Sequence, residues 1–139
     1  MNGVIAVRSL LVVDTGLTAL VPLERIAAGT LPQGTALPAI ALMSIGSTDL
    51  NIPSPGPKRR VTERVQVTVL TRTYAEAKAI IAAIRGAAAD QMPAIDGLSD
   101  VTVHTDSAGP DFLDEETGIH MQTQDLRVSF NEARLASPS

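Results

Sequence analysis

The sequence contains no cysteine, and this absence removes several kinds of chemistry at once. Disulfide bonds, thiol nucleophiles and thiolate metal sites all require that side chain. Tryptophan is also absent, and aromatic residues make up only 2% of the chain. Because 45% of the residues are hydrophobic, alanine, valine, leucine and isoleucine must build the core.

An excess of positive charge and a long apolar run are missing as well. Eleven Lys and Arg against fifteen Asp and Glu give a net charge of −4, the wrong sign for a protein that holds nucleic acid by neutralising phosphates. The apolar run from Gly3 to Val13 is interrupted by Arg8, and it reaches about half the length that spans a bilayer. We therefore expect no tight DNA binding, no signal peptide and no membrane helix.

The 139 residues suit a single domain with mixed secondary structure. Hydrophobic periodicity, capping residues and proline positions predict three helices and four strands. The helices are expected at Asn2–Val13, Thr15–Val21 and Thr73–Asp90, and the strands at Ala39–Ser47, Val61–Leu70, Val101–Thr105 and Ile119–Phe130. This order, helix-helix-strand-strand-helix-strand-strand, indicates an α+β fold with a mainly antiparallel sheet of about four strands and helices on one face.

Local signals support the ends of these elements. Asp14 is expected to cap the second helix, which Pro22 stops. Thr73 and Glu76 form a capping box at the start of the third helix. The apolar face of that helix is predicted to contain Tyr74, Ala77, Ile81, Ile84 and Ala88.

The last predicted strand changes its apolar parity along its length. Ile119 and Met121 fall on one side, whereas Leu126, Val128 and Phe130 fall on the other. Because side chains alternate strictly along a strand, this switch predicts a β-bulge near Thr123–Asp125. Leu126, Val128 and Phe130 are expected to face the core.

Three segments are predicted to lack regular structure. Residues 22–38 are expected to form an extended connection that Ile26 pins to the core. Residues 52–60 are proline-rich and are expected to form a flexible loop. Residues 106–117 read as an acidic loop, and residues 131–139 as a frayed tail.

Candidate catalytic and metal-binding residues are few. His104 and His120 have no carboxylate at a ligand spacing on the same strand. The carboxylates of the acidic loop lack the alternation and the glycine of a calcium loop, so a solvated turn or a charged pore lining explains them better. The sequence motifs of serine hydrolases, P-loops and dinucleotide-binding folds are absent. We therefore predict no catalytic residue, no metal and no cofactor.

The order of several short segments resembles one family of virion proteins. The first half carries Leu17-Thr18-Ala19-Leu20-Val21, Arg25-Ile26, Leu31-Pro32-Gln33-Gly34 and Leu37-Pro38-Ala39-Ile40, and the second half carries Val65-Gln66-Val67, Thr73-Tyr74-Ala75-Glu76-Ala77, Asp114 to Gly118 with His120, and Asp125-Leu126-Arg127-Val128. Together these segments resemble the tail-completion, or tail-terminator, proteins of long-tailed bacteriophages and gene-transfer agents. The resemblance runs from Val4 to Phe130.

The resemblance implies a structural role. Proteins of this kind form rings, commonly six-fold, that cap a finished tail tube at the head-proximal end and present the surface that joins the head. The implied partners are further copies of the chain in a homohexamer, the tail tube protein and a head-completion or stopper protein. DNA passes through the lumen without specific binding, and no membrane is involved. The whole chain, 1–139, is then a single tail-terminator-like domain.

Two groups of residues become candidate contact sites under this reading. The loop expected to contact a partner consists of Ile52, Pro53, Ser54, Pro55, Gly56, Pro57, Lys58, Arg59 and Arg60. The acidic side chains expected to line the lumen are Asp111, Asp114, Glu115 and Glu116. Two alternatives remain open: another neck component, such as a stopper or a tail-tube subunit, and a small enzyme that uses the carboxylates of residues 106–117.

Overall fold

The computed structural model describes residues 2–32, 34–51, 53 and 56–134. The helices are α1 (Asn2–Val13), α2 (Thr15–Leu20) and α3 (Tyr74–Ala88), with a single 3-10 turn at Leu23–Arg25. The strands are β1 (Ile26–Ala28), β2 (Ala39–Leu50), β3 (Lys58–Thr71), β4 (Leu98–Ala108), β5 (Phe112–Asp114) and β6 (Ile119–Ala133). The fold is therefore α+β, as the sequence predicts.

The six strands form one sheet in the order β1-β2-β3-β6-β4, and β5 also pairs with β6. All pairs are antiparallel except β1 with β2, which run parallel. The expected count of about four strands is too low, because β1 and β5 have three residues each and carry almost no periodic pattern. The extended connection expected before Pro38 thus contains a strand, although Ile26 is buried as predicted.

The apolar core lies between one face of this sheet and α1 and α3. Alternate residues of β3 supply Val61, Val65, Val67 and Val69, and β6 supplies Leu126, Val128 and Phe130. These three β6 residues face the core on a central strand, as predicted. The opposite face of the sheet is polar and carries no helix among the described residues, so the two faces differ sharply in chemistry.

The helix caps follow the sequence signals. The Asp14 carboxylate accepts a hydrogen bond from the Leu17 N–H at 2.9 Å, and the Thr73 hydroxyl accepts one from the Glu76 N–H at 3.1 Å. The expected position of Tyr74 in the core is wrong, because its side chain is 51% exposed. It lies in the first turn of α3 and contacts the His120 ring edge-on instead.

The bulge predicted in the last strand is also wrong. β6 pairs with β3 from His120 to Ala133 without a register shift. Gln122 and Gln124 are buried on the same face of β6 as Leu126, Val128 and Phe130. The core face of the strand therefore stays the same along its length, and two of its residues are polar. Register shifts occur instead in β4, between Ser99 and Thr102 and between Thr105 and Ala108, and in β2, between Ser44 and Gly46.

Several strands extend beyond their predicted ends. β3 begins at Lys58, so Lys58, Arg59 and Arg60 belong to a paired strand and not to the preceding loop. β6 continues to Ala133, so residues 131–133 are not frayed, and the Arg134 N–H donates to the Pro57 carbonyl at 2.9 Å. Residues 135–139 lie outside the described residues.

Candidate assembly surfaces

The acidic residues predicted to line a lumen lie on and beside the β5–β6 hairpin. Asp114 holds the turn, since one carboxylate oxygen accepts from the Glu116 N–H at 3.0 Å and the Thr117 N–H at 3.4 Å. The Asp114 carbonyl accepts from the Gly118 N–H at 2.7 Å. Gly118 has φ 72°, a backbone conformation that favours glycine. Glu115 and Glu116 are exposed at the tip.

Asp111 has a different environment from these three residues. Its carboxylate accepts from the Lys78 ammonium at 2.6 Å. This hydrogen bond lowers the pKa of Asp111 below its ordinary value and raises the pKa of Lys78. Lys78 Nζ also lies 5.0 Å from the centre of the Tyr74 ring. Among the described residues, Glu115 and Glu116 have no ion-pair partner, whereas Asp114 holds the turn and Asp111 forms an ion pair.

The predicted partner-contacting loop divides into two parts. Ile52, Ser54 and Pro55 lie outside the described residues. The basic side chains at its end reach across the sheet: Lys58 Nζ donates to Ser99 Oγ at 3.3 Å, Arg60 Nη1 donates to the Asp100 carbonyl at 2.7 Å, and Arg59 lies 3.8 Å from Glu132. These residues consequently tie β3 to β4 and β6.

The polar face of the sheet carries a charged network that the sequence reasoning did not identify. Arg64 and Arg127 lie directly opposite each other on β3 and β6. Asp106 is 3.6 Å from the first and 3.3 Å from the second, and Asp125 accepts from Arg64 at 2.9 Å. Like charges opposite each other destabilise a sheet, so these carboxylates compensate the arginine pair. The sequence signal that could have located this network is the alternation of β3, which places Arg64 among the polar residues that face away from the core.

Beside this network lies a polar groove of about 640 Å³. Its lining includes Thr48, Thr62, Arg64, Arg127 and Ser129. The Thr62 and Ser129 hydroxyls are 3.0 Å apart and hydrogen-bonded. The groove is open and hydroxyl-rich, so it is suited to a polar contact.

The outer edge of β2 is a second surface that sequence reasoning missed. β1 covers only Ile40, Ala41 and Leu42, and no described strand pairs with the outer edge from Met43 to Leu50. An apolar notch of about 270 Å³ lies where β1 ends, lined by Val4, Ala28, Gly29, Leu42, Met43 and Ser44. An unpaired strand edge is a template for pairing with another chain.

The two histidines do not converge on a common site. His104 Nδ1 lies 2.8 Å from Asp90 on the outer side of β4, whereas His120 contacts Tyr74 on the helix side. Within the described ranges, no three His, Asp or Glu side chains gather in a way that could hold a metal ion. No helix in the described part of the chain is long and apolar enough to cross a membrane.

A family model and a solved structure both resemble this chain. The family model for tail completion protein gp17 matches residues 5–130. A chain in the solved structure of the virion of a native gene transfer agent (GTA) particle has a TM-score of 0.72 and is 19% identical, over 90% of this chain and 91% of that chain. At this identity the likeness shows a shared fold. No curated protein matches the sequence.

Proposed function

This chain belongs to the tail completion protein gp17 family, and we propose that it forms a closed ring of six subunits that caps a finished tail tube. The protein is a component of the virion tail. In the proposed role the ring ends tube polymerisation and provides the surface that joins the head. The family match over residues 5–130 is the observation that carries this proposal.

The surfaces of the subunit suit this structural role and require no catalysis. A cyclic assembly needs two different, complementary surfaces on each subunit, because its contacts are head-to-tail. The sheet offers an unpaired edge along β2 on one side, and the exposed apolar strand β5 on the other. The charged side chains of the open face are largely compensated in ion pairs, which is typical of a stable polar surface.

The proposed partners are the tail tube protein on one side of the ring and a head-completion or stopper protein on the other. We assign the contact with one of them to the segment from Ile52 to Arg60, in which Lys58, Arg59 and Arg60 anchor the strand end and the proline-rich part before them meets the partner. DNA passes through the lumen without specific binding, and the acidic hairpin faces it.

Imaging of tails with and without the protein tests the proposed role. Tails assembled with it should end in a ring at the head-proximal end and have a uniform length. Tails assembled without it should be overlong and should fail to join heads. A protein that remains a monomer at the tail end, or tails of normal length in its absence, would contradict the ring. Binding to the portal side alone would identify a stopper instead.

Charge reversal at the hairpin tip tests the lumen assignment. We expect Glu115→Lys with Glu116→Lys to slow DNA ejection through the rings that form, because each lysine adds a phosphate contact that must break as DNA moves. Asp114 is left unchanged because it holds the turn. The control, Glu24→Lys with Asp96→Lys, makes the same change in net charge at exposed positions elsewhere. Equal ejection kinetics for both variants and the native protein would place the hairpin away from the lumen.

A further inference from the structure

The free edge of β2 has main-chain groups directed away from the sheet. The Gly29 N–H donates to the Leu42 carbonyl at 2.7 Å from the outer side. Because main-chain direction alternates along a strand, Ser44 also directs its N–H and C=O outward. β1 stops at Ala28 and Gly29 adopts φ 83°, so the chain turns away before it reaches Ser44.

The notch beside Ser44 is apolar and open. It lies on the helix side of the sheet, because Val4 of α1 and the core residue Leu42 line it. A Cβ atom added to Gly29 would meet nothing within 4 Å. Ile45, 43% accessible, is the extra residue of a β-bulge that follows Ser44, and Met43, 49% accessible, lies on the opposite, polar face of the sheet. An apolar side chain on an added strand would bury surface in the notch.

The opposite edge of the sheet carries an apolar strand with a matching geometry. Phe112 and Leu113 of β5 are 56% and 46% exposed. Leu113 pairs with His120, and His120 lies opposite the buried Thr71, so Leu113 is on the helix side of the sheet. At this edge the residues on the helix side direct their main chain outward, as Val103 of β4 does in its two hydrogen bonds with Gln91. Leu113 therefore offers outward main-chain groups, as Ser44 does.

We propose that β5 of one copy of this chain pairs antiparallel with the free edge of β2 of the next copy, with Leu113 opposite Ser44 and its side chain in the notch. This inference rests on the proposed ring and names the contact that closes it. Rotation about a ring axis keeps the helix sides of neighbouring sheets on the same side. Two opposite residues can share a face and direct their main-chain groups at each other only in an antiparallel pair. Leu113 and Ser44 meet both conditions, so the two strands must run antiparallel.

Charge complementarity favours a second copy as the occupant. In this register the acidic turn after Asp114 lies at the end of β1 of the neighbour. Arg8 and Arg25 flank the start of that three-residue strand, where Arg8 Nε donates to the Ile26 carbonyl at 3.0 Å. A separation of two or three residues along a strand is about 7–10 Å, which is comparable to the screening length of about 8 Å at physiological salt. The turn and these arginines therefore attract each other across the contact.

A disulfide test is clean because the natural chain has no cysteine. Ser44→Cys with Leu113→Cys places the two thiols on opposite residues of an antiparallel pair, whose Cα atoms lie about 5.5 Å apart, within disulfide range. Oxidation of assembled tails should remove most of the monomer band and produce covalent multimers that reduction reverses. The control, Ser44→Cys with Met92→Cys, uses a side chain that is 74% exposed elsewhere and should stay monomeric.

The outcomes separate this contact from the proposed function. The β2–β5 contact would be overturned, and the ring left in place, if tails carry a ring but the Ser44→Cys with Leu113→Cys protein in them cross-links no more than the control. Tails that carry no ring would overturn both. A second pair of variants avoids cysteine: Leu113→Asp should abolish ring formation, and Met92→Asp should not. Rings formed by a folded Leu113→Asp protein would also overturn the contact.

Discussion

Replacing Phe130 by alanine is expected to lower the free energy of unfolding by about 3–5 kcal/mol, because the substitution removes a large buried side chain and leaves a cavity. Phe130 is 1% exposed on the central strand β6 and belongs to the apolar cluster under the helices. The chain has few aromatic residues, and the small side chains of that cluster have little reach to refill the space. The loss is a large share of the roughly 5–15 kcal/mol typical of a domain.

Chemical denaturation of dilute, dissociated subunits measures this change. The matched control is Phe112→Ala, the same substitution at a side chain that is 56% exposed, for which we expect a loss below about 1 kcal/mol. A loss of that small size at Phe130 would show that the strand presents its other face to the helices.

Replacing Gly3 by alanine is expected to destabilise the subunit by about 1–3 kcal/mol, a cost typical of overpacking. Gly3 lies in the first turn of α1, and its N–H donates to Glu63 Oε1 at 3.1 Å. A Cβ atom at this position would lie 2.7 Å from Glu63 Cδ and Oε2. Glu63 is 3% exposed, so a carboxylate displaced by the Cβ atom would lose its hydrogen bond to the Gly3 N–H at a site away from water.

A helical glycine with open space around it provides the control. Gly86 lies in α3, and a Cβ atom there would meet nothing within 4 Å. Gly86→Ala should therefore stabilise the subunit by up to about 1 kcal/mol, the ordinary gain of alanine over glycine in a helix. Thermal and denaturant unfolding of both variants should give opposite signs. A stabilising Gly3→Ala would mean that α1 shifts freely away from β3.

The contrast between β3 and β6 shows how far the sequence predicts this fold. Val61, Val65, Val67 and Val69 alternate with polar residues in the sequence, and all four are buried on the core face of β3. β6 misled the same reasoning because Gln124 is fully buried on the core face. Its side-chain oxygen accepts from Arg85 Nη1 at 2.9 Å, and its nitrogen donates to the Asp125 carbonyl at 2.9 Å. The hydrogen bond from Arg85, 39 positions away in the sequence, makes a buried amide acceptable, and the periodicity of β6 alone cannot indicate it.

The candidate surfaces were predictable only in part. The acidic residues 114–116 form one exposed hairpin turn, as their composition indicates, but the Lys78 partner of Asp111 comes from another element 33 positions away. The extent of the free edge of β2 depends on where β1 ends. A strand of three residues is too short to show a periodic pattern, so the sequence does not predict β1 or its end. The extension of β3 to Lys58 likewise depends on pairing with β6, because a basic run has little strand propensity of its own.

The pairing of β3 with β6 also affects how the chain folds. The two central strands join residues from Thr71 with His120 to Lys58 with Ala133, so the chain must close loops of about 50 to 75 residues before these contacts form. Such non-local topology slows folding. Until β6 arrives, the inner edge of the β2–β3 hairpin is unprotected, and β6 of another chain fits it equally well. Nascent chains at high concentration are therefore prone to exchange this strand, and dilution during refolding should favour the correct subunit.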